Sequence, residues 1–154
     1  MANESGALSP RSLCCGMRWT RAARQRRAAV IREVRSEEAG RIAELLSQLW
    51  PEKPVDSAAV SGIVGRYVED PSYWNLGYQE DGALWGMITV SFRSTLFHGG
   101  QGAIIEGLVV EESHGGEGIG IALVGFVENE IAEHKRACAI EVSSDLHRDD
   151  THVF

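Results

Sequence analysis

The sequence predicts one α/β domain, of the α+β type, in which a mixed sheet is flanked by helices. Three observations predict it. Two helical patterns follow a short alternating segment near residue 30, and Asp81-Gly82 lies between two apolar runs, as in a β-hairpin. A strand, a helix and a strand then follow one another over residues 103–142, and such a crossover makes its two strands parallel. The sheet should therefore begin antiparallel and end parallel.

The first half of the predicted domain contains a strand and two helices. Residues 30–35 alternate apolar and charged side chains, which indicates a strand, and Ser36 is the expected N-cap of the first helix. That helix should bury a stripe made of Ile42, Leu45, Leu46 and Leu49. A second helix is expected from Asp56 to Glu69. It should bury Val60, Ile63, Val64 and Tyr67.

The second half is predicted to contain the hairpin strands 73–79 and 83–92 and a further strand at 103–110. This last strand is almost continuously apolar, so it should be central in the sheet. A long helix is expected over residues 118–134, burying Ile119, Leu123, Phe126, Val127 and Ile131. The final strand is expected at 137–142, where Cys138 should be buried and unreactive.

Charge divides the chain at residue 29. Residues 1–29 hold six arginines and one acid, a net charge of +5, whereas residues 30–154 hold 9 basic and 21 acidic residues, a net charge of −12. We expect 1–29 to be a disordered extension and 30–154 to be the domain. A mitochondrial transit peptide and an arm that binds nucleic acid or a membrane surface are the alternatives for the head.

Composition excludes several classes of protein. With 154 residues, 44% of them apolar, the chain can form one core, but no apolar run approaches the ~20 residues of a membrane-spanning helix. Three cysteines, two of them adjacent, form neither a disulfide framework nor a zinc knuckle and favour a reducing, cytoplasmic location. No metal site is expected, because ligand spacing is absent among His98, His134, His147 and His152.

The most informative stretch joins the central strand to the long helix. It contains four glycines, Gly115, Gly116, Gly118 and Gly120. Bare amides before a helix N-terminus can bind a pyrophosphate, although such a turn can also be a simple tight connection. A Walker A loop is excluded because Ile121-Ala122 follow the last glycine. A dinucleotide fingerprint is excluded because its third small position falls on Ile121 or Leu123.

This stretch resembles the GCN5-related N-acetyltransferases. Their signature, Gln/Arg-x-x-Gly-x-Gly/Ala, aligns with residues 115–120, and residues 105–110 look like the splayed strand of that family. The segments 141–144 and 147–154 resemble the approach to its FYxKxGF motif. The resemblance covers residues 30–154 and implies an acyl-CoA N-acyltransferase-like fold.

The resemblance implies acetyl transfer from acetyl-CoA to a primary amine by direct attack, without a metal. Glu106 is implied as the group that accepts the ammonium proton; the alternative is a buried acid with a structural partner. Amides of Val109 and Val110 would hold the pantetheine arm, and amides of residues 115–120 the pyrophosphate. The expected cofactor-binding residues are Leu108, Val109, Val110, Gly115, Gly116, Glu117, Gly118, Ile119, Gly120 and Ser143.

Departures from the family pattern leave a second function open. Gly115 stands where relatives have Gln or Arg, and Glu111, Glu112 and Glu117 surround the loop, so weaker coenzyme binding is expected. The family's acid tyrosine and last strands would follow Phe154, which predicts a truncated domain, active or inactive. The alternative to an enzyme is a non-catalytic acyl-CoA-binding or interaction module.

The acidic domain favours a cationic acceptor: an aminoglycoside-like amine, a polyamine, or a lysine or N-terminal amine. The segment 49–52 also resembles the aminoglycoside 6'-N-acetyltransferase branch of the family. Neither nucleic acid nor membrane is an expected partner. Whether the protein forms a homodimer is left open by the sequence.

Overall fold

A computed structural model describes residues 29–49, 51–134 and 136–142. The predictions for residues 1–28, for Ser143 and for the histidines at 147 and 152 lie outside these residues. The elements are β1 (Val30–Glu33), α1 (Ala39–Leu49), α2 (Ser57–Glu69), β2 (Tyr73–Glu80), β3 (Ala83–Thr95), β4 (Gly100–Val110), α3 (Ile119–His134) and β5 (Ala139–Val142). No helix in this part of the chain is long and apolar enough to cross a membrane.

The five strands form one sheet in the order β1-β2-β3-β4-β5. The first three pairings are antiparallel and the last is parallel, which confirms the predicted mixed sheet. The expected central place of β4 is corrected: β4 is an interior strand next to the edge strand β5, and the middle strand is β3. One core lies against α1 and α2 and contains Val34, Ile42, Leu45, Val64, Leu84, Met87 and Val109. The other lies against α3 and includes Ile88, Val90, Ala103, Ile105, Ile119, Leu123, Val127 and Ile131.

A local signal explains the start of α2 but not that of α1. The carboxylate of Asp56 caps α2, accepting from the amide of Ala58 at 2.9 Å. The expected N-cap at Ser36 is wrong: Ser36 begins a single 3-10 turn, and Glu38 accepts from the amide of Arg35 at 2.8 Å. The expected burial of Ile63 is also wrong, since it stays 39% exposed.

A β-bulge interrupts β4 at Glu106. On β3, Thr89 pairs with Gly107 and Val90 pairs with Ile105, so Glu106 is an extra residue without a partner on β3. A bulge of this kind bends its strand and increases the local twist.

The bulge reverses which residues of β4 face α3. Ala103 and Ile105 pack in the α3-side core before it, whereas Leu108 and Val110 pack against that core after it. Val109 lies in the opposite core. Since side chains alternate along a strand, only an inserted residue can produce this change of parity.

The pairing of β4 with β5 is short. Partners run only from Gly102 with Ala139 to Ile105 with Val142, and beyond them the described residues place no strand beside β4 on that side. Among the described residues, the pairing on this side of β4 therefore stops at the bulge. Cys138 precedes β5 and is exposed, contrary to its expected burial.

Candidate active site

The glycine loop before α3 has a backbone conformation that needs glycine. Gly116 and Gly118 have φ values of +76° and +83°. The left-handed region costs other residues about 1–2 kcal/mol. No atom lies within 4 Å of the place where a Cβ would be at either position. The loop therefore presents bare backbone on an open surface.

The start of α3 offers unpaired amides beside this loop. The first turn closes with the Ala122 amide donating to the Gly118 carbonyl at 3.0 Å. The amides that precede it have no acceptor within the helix, and Gly118 has no side chain to cap them. These amides belong to Ile119, Gly120 and Ile121. Together with the helix dipole, they make a site that favours an anion.

The helix start lies against the opened half of β4. The Cβ position of Gly120 is 3.6 Å from the side chain of Leu108 and 3.8 Å from that of Val110. Both are ordinary van der Waals distances, so α3 begins directly against the strand. The anion site and the open edge of β4 are consequently neighbours.

Two amides of β4 face the opening. The Glu111 amide donates to the Trp85 carbonyl at 2.7 Å, so Glu111 faces β3. By the alternation of antiparallel strands, Val109 also faces β3, whereas Leu108 and Val110 direct their N–H and C=O groups away from it. The expectation that Val109 contacts the coenzyme arm is therefore corrected: the available pair is Leu108 and Val110.

Glu106 is exposed at the bulge and forms no hydrogen bond or ion pair with the described residues. The alternative of a buried acid with a structural partner is therefore wrong. The carboxylate lies near Tyr67 of α2: burial raises the pKa of Tyr67 and the charge of Glu106 raises it further. This places an accessible acid on the α2 side of the sheet, next to the opening.

The segment before the loop is fastened to α1 and β3. Arg41 of α1 forms an ion pair with Glu111 and donates to the Leu84 carbonyl at 3.1 Å. Burial acts to lower the pKa of Arg41, but its hydrogen bonds to Glu44 and Glu111 outweigh it and raise that pKa. The charge of Glu111 is thus balanced, which reduces the repulsion expected for a bound phosphate.

Two more contacts hold this segment. The amide of Glu112 donates to Oε1 of Gln48 at 2.8 Å, and the His114 ring stacks on Trp85 with centroids 4.0 Å apart. Sequence reasoning missed Gln48, Trp85 and Arg41, because they are distant along the chain from the glycines they support. No spacing of residues along the sequence indicates such long-range contacts.

A cluster on α3 was also missed. Ligand atoms of Glu130, Glu133 and His134 lie within 4.8 Å of one another. The i, i+3 and i+4 spacing places them on one face of the helix, where His134 also contacts the Glu130 carbonyl at 3.0 Å. Acidic groups cluster on exposed helix faces without holding a metal, so the arrangement carries no conclusion about one.

The arrangement fits a CoA thioester. The uncapped start of α3 suits a pyrophosphate, and the amides of Leu108 and Val110 suit an extended arm with amide groups. A family model described as the acetyltransferase (GNAT) family matches residues 31–153.

The chain belongs to the GNAT family of acetyltransferases.

Solved structures agree with the fold of this GNAT chain. A transcriptional regulator from Bacillus halodurans C-125 is 20% identical, with a TM-score of 0.73 over 81% of this chain and 87% of its own. A ribosomal-protein-alanine N-acetyltransferase from Brucella melitensis biovar Abortus 2308 is 18% identical, with a TM-score of 0.64 over 82% and 88%. An aminoglycoside N-acetyltransferase in complex with CoA is 17% identical, with a TM-score of 0.69 over 81% and 82%. No curated protein sequence matches this chain.

Proposed function

We propose that this GNAT acetyltransferase uses acetyl-CoA to acetylate a primary amine, either a cationic small molecule or a protein amine, by direct attack. One juxtaposition carries the proposal. The uncapped start of α3, the outward amides of Leu108 and Val110 and the exposed carboxylate of Glu106 lie around one opening in the sheet.

The coenzyme would be held by backbone groups. Amides of Gly116, Gly118, Ile119 and Gly120 bind the pyrophosphate. The expected amide contacts of Gly115 and Glu117 are corrected, because these amides donate to the carbonyls of Glu112 and His114 and so hold the shape of the loop. Amides of Leu108 and Val110 bind the extended arm as a strand would. Acetyl-CoA supplies, when bound, an acyl group activated as a thioester. Ser143 remains a proposed contact outside the described residues.

Glu106 would prepare the nucleophile. A protonated amine has no lone pair to attack with, so the carboxylate accepts the ammonium proton directly or through water. The amide of Leu108 points toward the opening and is the proposed donor to the developing oxyanion. A fixed donor in that role contributes about 3–4 kcal/mol to lowering the barrier.

Charge and relatives support the choice of acceptor. The net charge of −12 over residues 30–154 attracts cations, and two similar structures are described as acting on ribosomal-protein alanine and on aminoglycosides. We also propose that the enzyme is cytoplasmic, needs no metal, and binds neither nucleic acid nor membrane. A homodimer and the division between a disordered head, 1–29, and the domain, 30–154, remain proposals.

The role of Glu106 predicts a specific kinetic loss. Glu106→Gln should lower kcat for amine acetylation about 10²–10⁴-fold, the usual contribution of a general base, and leave the calorimetric Kd for acetyl-CoA unchanged. Free CoA is measured with a panel of amines. Glu128→Gln, which changes an exposed acid on α3, is the matched control and should behave as wild type.

The same assays separate enzyme from binding module. Acetyl-CoA binding without CoA release for any amine would favour the non-catalytic acyl-CoA-binding module. Absence of binding would refute both functions. Full activity of Glu106→Gln would assign the proton to another group.

A further inference from the structure

The proposed coenzyme site offers backbone donors but little positive charge. Residues 111–120, which join β4 to α3, contain three glutamates and neither lysine nor arginine. Two of these acids, Glu112 and Glu117, are exposed. Arg41 reaches this segment, but it already forms ion pairs with Glu111 and with a glutamate of its own helix. Acetyl-CoA brings a diphosphate and a 3'-phosphate to the site, so cations from elsewhere in the chain would strengthen its binding.

A strongly basic segment precedes the domain. Residues 21–27, here called the arginine segment, contain four arginines in seven residues, and no acid occurs between Glu4 and Glu33. An arginine guanidinium binds a phosphate through two parallel N–H···O bonds, which favours it wherever phosphate is recognised. The arginine segment thus has the cations that residues 111–120 lack.

The chain enters the sheet at the end where the glycine loop lies. Val30, the first residue of β1, is exposed and pairs with Gln79 near the end of β2. Gln79 in turn pairs with Leu84 near the start of β3. On the other side of β3, Gly86 pairs with Val110, the last residue of β4. Val30 and Val110 are therefore at the same end of the sheet and three strands apart, roughly 14 Å at the usual spacing of strands.

The arginine segment is long enough to cover this distance. An extended chain spans at most ~3.3–3.6 Å per residue. Arg27 precedes Val30 by three residues and reaches up to about 10 Å from it, whereas Arg21 precedes it by nine residues and reaches up to about 30 Å. The roughly 14 Å to the end of β4 falls between these two limits.

We propose that the arginine segment binds the phosphates of acetyl-CoA at the glycine loop, as a clamp supplied by the chain that precedes β1. The inference rests on the proposed function, because it takes this loop to be the coenzyme site. The exposed acids of the loop oppose a phosphate on their own, but they attract the arginines and so help to hold them beside it. A segment that is disordered without the coenzyme can make these contacts, because such segments order on binding.

Calorimetric titration with acetyl-CoA tests the clamp. The triple variant Arg24→Gln, Arg26→Gln, Arg27→Gln should raise the Kd about tenfold, the combined effect of two or three exposed ion pairs. At about 0.5 M salt the Kd values of wild type and variant should converge, because exposed ion pairs are screened. An unchanged Kd would overturn the clamp. A lower Kd in the variant would overturn it too, because the arginine segment would then compete with the coenzyme for the loop.

A matched control changes the net charge equally at the opposite end of the sheet. Arg35 follows β1, Arg66 lies in the last turn of α2, and Arg93 lies in the outer part of the β3–β4 hairpin. All three are exposed. Replacing them with glutamine should leave the Kd within about twofold of wild type, since exposed charges are largely screened beyond ~8 Å at physiological salt. Equal losses of affinity in the two triple variants would overturn the clamp, because net charge alone would explain them.

A second measurement follows the arginines themselves. Trypsin cleaves after arginine and requires that the arginine be released from any contact. Saturating acetyl-CoA should slow cleavage after Arg24, Arg26 and Arg27 about fivefold or more, as measured by mass spectrometry of the fragments. Cleavage after Arg11, outside the arginine segment, should keep its rate. Equal rates with and without acetyl-CoA would overturn the clamp alone, whereas a wild-type chain that binds no acetyl-CoA would refute the proposed function and the clamp with it.

Discussion

In the proposed coenzyme site, single residues of the glycine loop should set the affinity for acetyl-CoA. Gly118 has φ +83° and open space around its Cβ position, so alanine there is opposed by backbone conformation alone. We expect Gly118→Ala to weaken acetyl-CoA binding about tenfold, because a left-handed alanine costs about 1–2 kcal/mol and the loop would change shape to avoid it. Isothermal calorimetry measures the change in Kd.

A second glycine provides the control for backbone strain. Gly82, in the turn between β2 and β3, also has φ +83° and no atom near its Cβ position. Gly82→Ala should lower Tm as Gly118→Ala does but keep the wild-type Kd. Equal losses of affinity in the two variants would show that general destabilisation, and not the loop, is responsible.

At the scale of elements, α3 is held to the sheet by one buried stripe. Leu123 is completely buried in it, whereas Ile121, two residues earlier, is 71% exposed. Leu123→Ala should reduce the free energy of unfolding by about 2–5 kcal/mol, through lost burial and the cavity left behind. Ile121→Ala should change it by less than about 1 kcal/mol. Urea denaturation compares the two, and similar losses would contradict the assigned face of α3.

The helices follow from the sequence because their signals are local. α2 begins after the cap Asp56 and ends at Glu69, as its apolar spacing predicts. The hairpin of β3 and β4 is longer than predicted, reaching Thr95 and restarting at Gly100. Its outer residues include Arg93, which is exposed, so no apolar alternation marks that part of the strands.

The amino-acid sequence of β4 gives no sign of the bulge. Ile104 and Ile105 precede it and 108–110 follow it, so residues of both parities are apolar and the pattern fits either face. The orientation of Val109 depends on that parity and was therefore not predictable. The glycines of the proposed coenzyme site, in contrast, could be identified from the sequence, because glycine is the residue that adopts a positive φ most readily.

For the molecule as a whole, charge should control how acceptors arrive. Residues 30–154 carry a net charge of −12, and salt screens such attraction beyond ~8 Å at physiological ionic strength. We expect the KM for spermidine to rise several-fold between about 0.05 and 0.5 M salt with kcat unchanged. Propylamine, with a single charge, is the comparison and should respond much less. Parallel salt profiles for the two amines would argue against electrostatic attraction.

The extra residue in β4 also separates the reactivity of position 106 from the folding stability of the sheet. Because Glu106 has no partner on β3 and its side chain is exposed, we expect most substitutions at position 106 to change the free energy of unfolding by less than about 0.5 kcal/mol. A saturation library at that codon would then vary reactivity on a constant scaffold. Because reactivity would then vary without a change in stability, such a library suits a search for new acyl-transfer reactions.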